Sequence, residues 1–169
     1  MNRPQPNEYP AWSETYISKV KNDALEVLTN QITALPNLLL NSENKQHFTY
    51  EDGKWTVKEL LGHIIDTERI LTYRLMCFAR NEQKPLAGFD ENAYVTNAHF
   101  IDRDFKNLTE EFSALRKANM YLFESLNEVE LDRKGVASGR DITVRALLHV
   151  IAGHVEHHIQ ILKERYDVV

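Results

Sequence analysis

The sequence predicts an all-α protein: a four-helix bundle with a long connection between its second and third main helices. Apolar residues recur at helical spacing in four stretches, and most prolines and glycines fall between those stretches. No stretch shows the paired alternation typical of neighbouring strands. The length of 169 residues fits one domain, residues 1–169. Residues 1–21 hold three of the five prolines, and we expect them to form an extended N-terminal arm.

The first helix is expected to begin near Asp23, whose side chain can cap free backbone N–H groups, with Glu26 three residues later. Its apolar stripe consists of Leu25, Leu28, Ile32, Leu35 and Leu39. Pro36 interrupts this stripe, and proline removes a helical hydrogen bond. An end or a kink is therefore expected just before Pro36.

The second helix has a complete start signal. Thr56 and Glu59 form a T-x-x-E capping box, and Trp55 and Leu60 occupy the two hydrophobic-staple positions. The helix should run to about Arg80.

The connection that follows contains Pro85 and Gly88, which favour a loop. Residues 90–105 are ambiguous, with room for a short helix. Asn107 and Glu110 are expected to open the third long helix. Its predicted buried face consists of Leu108, Phe112, Leu115, Leu122 and Leu126.

Gly135 and Gly139 indicate a loop that can contain a short extended piece. The last helix is expected to start near Thr143 and to continue to about Tyr166.

Composition excludes several classes of function. A net charge of −5 argues against a nucleic-acid binder that relies on phosphate contacts, and a single cysteine, Cys77, excludes an intrachain disulfide and a multi-cysteine zinc site. No apolar run reaches the roughly 20 residues needed to span a bilayer. The polar, proline-rich start does not read as a secretory signal. We therefore expect a cytoplasmic protein.

Histidines carry the functional signal. His154 and His158 lie about 40° apart on the last helix, in the middle of its apolar stripe. His63 lies on the inward stripe of the second helix. Two imidazoles one turn apart can reach one metal ion, and bundles complete such sites with a ligand from a facing helix. The alternative is that these are core histidines bonded to backbone or carboxylate partners.

Two glycines point to the same place. Gly62 and Gly153 lie inside helices, and each directly precedes a candidate ligand. An interior glycine costs about 1 kcal/mol relative to alanine. Close approach of the two helices would explain both, although simple tolerance of glycine is an alternative.

The other histidines have weaker claims. His157 occupies a flank position suited to a contact with a ligand residue or substrate. His149 lies about 140° from His154 and should face solvent or an interface. His47 and His99 fall in loops and should be exposed.

Several other motifs are excluded. The chain has no H-E-x-x-H or H-x-x-E-H, and no glutamate lies three residues before a histidine, as carboxylate-bridged di-iron bundles require. Glu156 points away from the histidine pair. Cys77 is expected to be a small core residue. Asp66, one turn after His63, is a candidate for a base or a ligand-orienting group; the alternative is a flank carboxylate paired with Arg69 or Arg74.

The chain resembles the DinB-like superfamily of four-helix metalloproteins and, within it, the YfiT-like group of metal-dependent hydrolases. The resemblance rests on KWTVKELLGHIIDTERILTYRLMCFAR, PLAGFDENAY, EFSALR and ITVRALLHVIAGHVEHHIQILKERY. The family's metal triad of one histidine on the second helix and an H-x-x-x-H pair on the last would correspond to His63, His154 and His158.

The resemblance implies a divalent metal, zinc or nickel, and a small-molecule substrate. Relatives include transferases and isomerases that use low-molecular-weight thiols. The first expectation is therefore a thiol-dependent S-transferase acting on small electrophiles, with a metal-dependent hydrolase as the alternative. A non-enzymatic metal-binding or interaction protein is the hypothesis of another class. Because relatives are often dimers, the resemblance also implies a homodimer, with neither nucleic acid nor membrane as a partner.

Overall fold

A computed structural model describes residues 2–169 and shows a helical bundle, which confirms the predicted fold class. Four long helices build it, and three short helices and one hairpin connect or cover them. The elements are α1 (Glu14–Ile17), α2 (Ala24–Asn41), α3 (Val57–Ala79), α4 (Glu91–Ala98), α5 (Phe105–Glu124), α6 (Glu128–Leu131), β1 (Lys134–Ala137), β2 (Arg140–Thr143) and α7 (Val144–Arg165). Helix α2 packs against α5, and α3 packs against α7.

Helix α2 begins where the sequence predicts but does not end at Pro36. The Asp23 carboxylate accepts hydrogen bonds from the backbone N–H groups of the first turn. Pro36 lies inside the helix, which continues to Asn41. Proline cannot donate to the carbonyl of Ile32, and the Ser113 hydroxyl of α5 donates to that carbonyl instead, at 2.9 Å. A neighbouring helix thus replaces the bond that proline removes.

Helix α3 confirms its predicted capping box. The backbone N–H of Thr56 donates to the Glu59 carboxylate at 2.7 Å, and the Glu59 N–H donates to the Thr56 hydroxyl at 3.2 Å. The helix ends at Ala79, with Arg80 as its C-cap.

The long connection between α3 and α5 contains α4 and a 3₁₀ turn, Phe100–Asp102. The predicted start of the next helix at Asn107 was too late. Helix α5 begins at Phe105 because the Asp104 side chain accepts from the Asn107 N–H at 2.7 Å, so Asn107 already lies inside the first turn.

The predicted buried face of α5 was only partly right. Leu108 and Phe112 are buried, whereas the other three predicted positions, Leu115, Leu122 and Leu126, are only partly buried. The positions that are buried in their place are Arg116, Met120 and Phe123.

The predicted extended piece is a two-stranded antiparallel hairpin. The expectation that the chain contains no strand pair was therefore wrong. Gly135 pairs with Ile142, and Val136 pairs with Asp141. A β-carbon on Gly135 would lie 2.2 Å from the Phe78 ring, which explains the glycine in a strand.

The prolines predicted an extended N-terminal arm, and this prediction was wrong. The arm forms two 3₁₀ turns, Pro6–Glu8 and Ala11–Ser13, and then α1. Helix α1 packs against α7, and Ile17 is fully buried. Lys19 donates to the Gln160 side chain of α7 at 2.6 Å. Helix α7 therefore contacts α1 as well as α2 and α3, and little of its first five turns remains exposed.

A layer of polar side chains divides the core of the bundle. One apolar cluster contains Leu28, Leu75 and Phe123, and a second contains Leu35, Ile64 and Phe112. The layer between them contains three buried polar residues from three helices, Gln31, Glu68 and Arg116. Across residues 2–169, no helix has both the length and the apolar character needed to cross a membrane.

Candidate metal centre

Three histidines from two facing helices converge on one point. His63 comes from α3, and His154 and His158 come from successive turns of α7. The Nε2 atom of His154 lies 3.1 Å from that of His63 and 3.1 Å from that of His158. One ring nitrogen from each residue lies within 4.8 Å of the other two. The predicted juxtaposition of the three rings is therefore present.

Burial keeps these rings neutral. The three side chains are at most 7% exposed. Burial lowers the pKa of His63 to about 4. The pKa values of His154 and His158 also lie well below the ordinary value, through burial first and the neighbouring imidazoles second. Neutral imidazoles have free lone pairs, the form that binds metal ions.

The three imidazoles cannot all hydrogen-bond one another, and their arrangement fits the binding of one metal ion better. Each Nε2 has one in-plane position, a proton or a lone pair, so the Nε2 of His154 can pair with only one of its two neighbours. The Nδ1 of His158 is buried and has no partner within residues 2–169. Two nitrogens bound to one tetrahedral zinc ion would lie about 3.3–3.4 Å apart, close to the observed separations.

Three further side chains surround the rings. The Nδ1 of His63 lies 3.4 Å from the Thr67 hydroxyl, so the ring can donate there while Nε2 faces the other histidines. The Trp55 ring lies 4.7 Å from the His63 ring, and the Tyr16 ring contacts the edge of His154 at 5.4 Å between ring centroids. None of these contacts was predicted. The i,i+4 spacing of His63 and Thr67 could have indicated the first, whereas the aromatic contacts join distant parts of the chain.

The two helical glycines do mark close approaches, but not between the two ligand helices. A β-carbon on Gly62 would lie 2.2 Å from the Phe100 ring. A β-carbon on Gly153 would lie 2.1 Å from the Tyr16 carbonyl oxygen. The expectation that the glycines bring α3 and α7 together was therefore wrong. Instead, Gly62 leaves space for Phe100 to pack on α3, and Gly153 leaves space for the backbone of Tyr16 to pack on α7.

His149 was predicted to face solvent or an interface, and this was wrong. The residue is only 3% exposed, and its Nδ1 lies 2.9 Å from the Arg145 carbonyl oxygen. The helical angle correctly predicted that His149 points away from the triad. The prediction did not allow for α1 and α2, both of which pack against α7.

The remaining candidates stay outside the cluster. His157 is half-buried, with its ring 5.1 Å from that of His158 and 5.4 Å from that of Tyr16. Burial lowers the pKa of His157, and the Lys19 cation lowers it further. Asp66 accepts a hydrogen bond from Arg69 at 3.2 Å, the pairing that the alternative interpretation expected.

The other excluded residues behave largely as predicted. His47 and His99 are exposed. Glu156 accepts from the Gln31 amide at 2.7 Å, outside the triad. Cys77 is half-buried at the edge of the core rather than inside it.

A pocket of about 260 Å³ reaches the triad at His158. Its walls combine aromatic and aliphatic side chains with one cation and one amide: Tyr50, Trp55, Tyr166, Leu60, Ile161, Lys54 and Asn92. The Tyr166 hydroxyl donates to the Trp55 carbonyl at 2.7 Å and joins two of these walls. A small molecule bound there would lie beside the three histidines.

A second buried polar cluster lies in the layer that divides the core. The Arg116 guanidinium, which has no exposed surface, donates to both carboxylate oxygens of Glu68 at 2.7 and 2.8 Å. It also donates to the Gln31 amide oxygen at 2.6 Å. Asn119 donates to the same carboxylate at 2.9 Å. This cluster is well hydrogen-bonded without a ligand.

Comparison with known proteins agrees with this architecture. The family model described as "DinB superfamily" matches residues 23–162, a range that includes all three histidines. A "Putative metal-dependent hydrolase" of Oceanobacillus iheyensis is 27% identical over 164 residues, which cover 90% of this chain and 91% of that protein. A protein of Bacillus licheniformis with the same description is 25% identical over 92% of this chain and 93% of its own length.

A solved structure shares the fold. YfiT from Bacillus subtilis, described as "a probable metal-dependent hydrolase with an unusual four-helix bundle topology", superposes with a TM-score of 0.71 at 18% identity. The match covers 99% of this chain and 95% of YfiT.

Proposed function

The chain belongs to the DinB superfamily, and from that premise we propose that it is a metal-dependent enzyme in which His63, His154 and His158 hold one divalent ion, zinc or nickel. The observation that carries the proposal is the convergence of three buried, neutral imidazoles on one point. Imidazole nitrogen suits both metals.

Three protein ligands leave a coordination position open, as in catalytic rather than structural sites. A bound divalent ion would supply a Lewis acid that favours the deprotonated form of a water or thiol ligand. The chain itself supplies orientation and shelter. Thr67 fixes the ring nitrogen of His63 that faces away from the site, and the Trp55 and Tyr16 rings pack against His63 and His154. The pocket beside His158 would receive the substrate.

We propose a thiol-dependent S-transferase as the first reaction class. Each carboxylate within four residues of a ligand already has a partner: Glu59 in the capping box, Asp66 with Arg69, and Glu156 with Gln31. Attack by water usually benefits from such a base, whereas a metal-bound thiolate is a nucleophile without one. A small electrophile in the pocket would then be the acceptor.

A metal-dependent hydrolase is the second candidate, and the description of the relatives as metal-dependent hydrolases favours it. In that case the candidates for proton transfer are Asp66 and His157, and the His157 ring lies 5.1 Å from that of His158. The pocket would take an ester or an amide.

The metal proposal is tested by metal content. The wild type should bind about one zinc or nickel ion per chain. His154→Ala should bind almost none, because the Nε2 of His154 lies 3.1 Å from the Nε2 atoms of both His63 and His158. His149→Ala is the matched control, since it removes another buried histidine from the same helix. If His154→Ala keeps its full metal content, the triad is not the site.

The reaction class is tested with the metal-loaded protein. An S-transferase consumes thiol and an electrophile such as a chloronitrobenzene together, whereas a hydrolase turns over esters or amides without thiol. Chelation should abolish either activity. Cys77→Ala should abolish neither, because Cys77 lies at the edge of the apolar cluster that contains Leu28, Leu75 and Phe123. If neither activity is found and thiols leave the visible spectrum of the cobalt-substituted protein unchanged, the chain is a metal-binding interaction protein.

We also propose a homodimer. Large side chains are exposed on several helices, among them Tyr121 at 81% and Tyr73 at 55%. Light scattering at tens of micromolar should give twice the chain mass of 19.7 kDa. A monomer mass would overturn this part of the proposal alone.

A further inference from the structure

We propose that Tyr16, in the N-terminal arm, is a positioning residue for the metal centre: its ring fixes the orientation of His154 and closes the outer side of the site. The inference rests on the proposed metal-binding role of the triad. It assigns a function to a segment that lies before residue 23, outside the range that the family model matches.

His154 is the ring whose orientation matters most. Its Nε2 lies 3.1 Å from the Nε2 atoms of both His63 and His158. A rotation of this one ring would change two of the three separations between ligand nitrogens. A residue that restrains it therefore restrains the whole site.

The Tyr16 ring is placed to apply that restraint. It contacts His154 edge to face, with centroids 5.4 Å apart and an interplanar angle of 65°. It contacts His157 at the same distance and an angle of 84°. Aromatic rings prefer such edge contacts because a positive edge meets a negative face. The contact needs the ring and not the hydroxyl, for which the structure shows no hydrogen bond within residues 2–169.

The backbone of the arm is fixed at the same point. Gly153, which directly precedes His154, leaves the space that the Tyr16 carbonyl occupies, and a β-carbon there would lie 2.1 Å from its oxygen. Ile17 is fully buried beside it, and Lys19 bonds Gln160 at 2.6 Å. The arm is therefore held against α7 by backbone contact, burial and a side-chain hydrogen bond. These contacts set the position of the Tyr16 ring.

The first test uses the full-length protein loaded with cobalt. Tyr16→Ala should release cobalt to a chelator about tenfold faster than wild type, the size of effect typical of residues that orient metal ligands. The visible absorption bands should also shift, because His154 can then rotate. Tyr16→Phe should restore the wild-type rate and spectrum. Trp12→Ala, which removes the exposed ring that packs on Tyr16, is the matched control and should change neither strongly.

The second test moves the arm without removing a side chain. Gly153→Ala should displace the Tyr16 backbone, speed trypsin cleavage after Lys19 or Lys21, and speed cobalt release. Gly62→Ala is the control for overpacking, since it pushes against Phe100 and should leave the arm protected. Circular dichroism establishes that each variant is folded.

The outcomes separate this inference from the proposed function. If the wild type binds cobalt and Tyr16→Ala matches it in spectrum and release rate, the positioning role is overturned and the metal site stands. If Tyr16→Phe behaves like Tyr16→Ala, the hydroxyl rather than the ring is responsible, and the inference is wrong as stated. If the wild type binds no cobalt, zinc or nickel, the proposed function and this inference both fail.

Discussion

Two buried polar clusters lie within the same bundle, and they differ in how completely their side chains hydrogen-bond one another. Arg116 and Glu68 have opposite charges, form two direct bonds, and are joined by Gln31 and Asn119. The histidine cluster brings together three like groups whose ring nitrogens face one another.

The difference separates a structural cluster from a binding site. A buried polar group costs free energy unless it is hydrogen-bonded, and the arginine cluster meets that condition from within the chain. The histidine cluster leaves the Nδ1 of His158 without a partner, and the Nε2 of His154 can bond only one neighbour. A cluster of the second kind becomes favourable when a ligand completes it.

The arginine cluster should account for the largest loss of stability. Arg116→Ala leaves the Glu68 carboxylate buried without its main partner, and breaking a buried pair in this way typically costs about 3–5 kcal/mol. Urea unfolding should show that loss, while metal content should stay at the wild-type value. The control is Arg80→Ala, which breaks an ion pair with Glu130 that is largely exposed on the arginine side and should cost no more than about 1 kcal/mol. A variant that keeps its stability but loses metal would reverse the roles assigned to the two clusters.

The histidine cluster should dominate the pH dependence of the metal-free protein. His63 has a pKa of about 4 in the folded chain and an ordinary value of 6.5 when unfolded. Between these values the unfolded chain binds more protons, so the free energy of unfolding falls as pH falls from about 6.5 to about 4, by up to about 3 kcal/mol for this residue. Unfolding curves of chelator-treated protein at a series of pH values would measure the slope.

His63→Gln should reduce that slope. His47→Gln should leave it unchanged, because His47 is exposed. A slope of the opposite sign would show that the triad is protonated in the folded chain.

Metal should stabilise the chain through the histidine cluster alone. A ligand that binds only the folded state at one hundred times its Kd adds about 2.7 kcal/mol. Zinc should therefore raise the melting temperature of the wild type and of Arg80→Ala, and should leave that of His154→Ala unchanged. An unchanged melting temperature in chelator-treated and zinc-loaded wild type would contradict the comparison.

The smallest expected effect concerns Thr67. Thr67→Val keeps the shape of the side chain but removes the oxygen 3.4 Å from the Nδ1 of His63. Loss of such an orienting group should weaken zinc binding by about tenfold, measured by competition with a chromophoric chelator. Thr72→Val is the matched control five residues further along α3, because the Thr72 hydroxyl contacts Asn119 rather than a histidine of the cluster. Equal affinities in wild type and Thr67→Val would show that the ring needs no such partner.

Local pattern predicted the parts of the molecule that depend on local chemistry. The caps at Asp23, Thr56 and Thr143 involve side chains within three residues of the N–H groups they bond, so they can be predicted from the sequence. The facing of His154 and His158 follows from helical geometry, and the inward stripe of α3 indicated His63.

The errors arose where distant segments meet. The end expected at Pro36 does not occur, and Ser113, from another helix, donates to the carbonyl that proline leaves without its helical partner. The kink that was the alternative stays a prediction. His149 is buried because other segments cover it, and the helical angle contains no information about them. Arg116 was overlooked because a charged residue on a helix is normally a surface residue. Its partner Glu68 lies 48 residues away, and no local pattern connects the two.

The docking of the arm also sets an order of assembly during synthesis. Residues of the arm leave the ribosome first, yet Lys19 bonds a residue 141 positions later and His63 faces one 91 positions later. Contacts between such distant segments form slowly, because a long loop must close before they are made. The nascent arm therefore has no surface to pack on until the last helix emerges. The histidine cluster and the arm that covers it should form together, as one of the final steps in the folding of the chain.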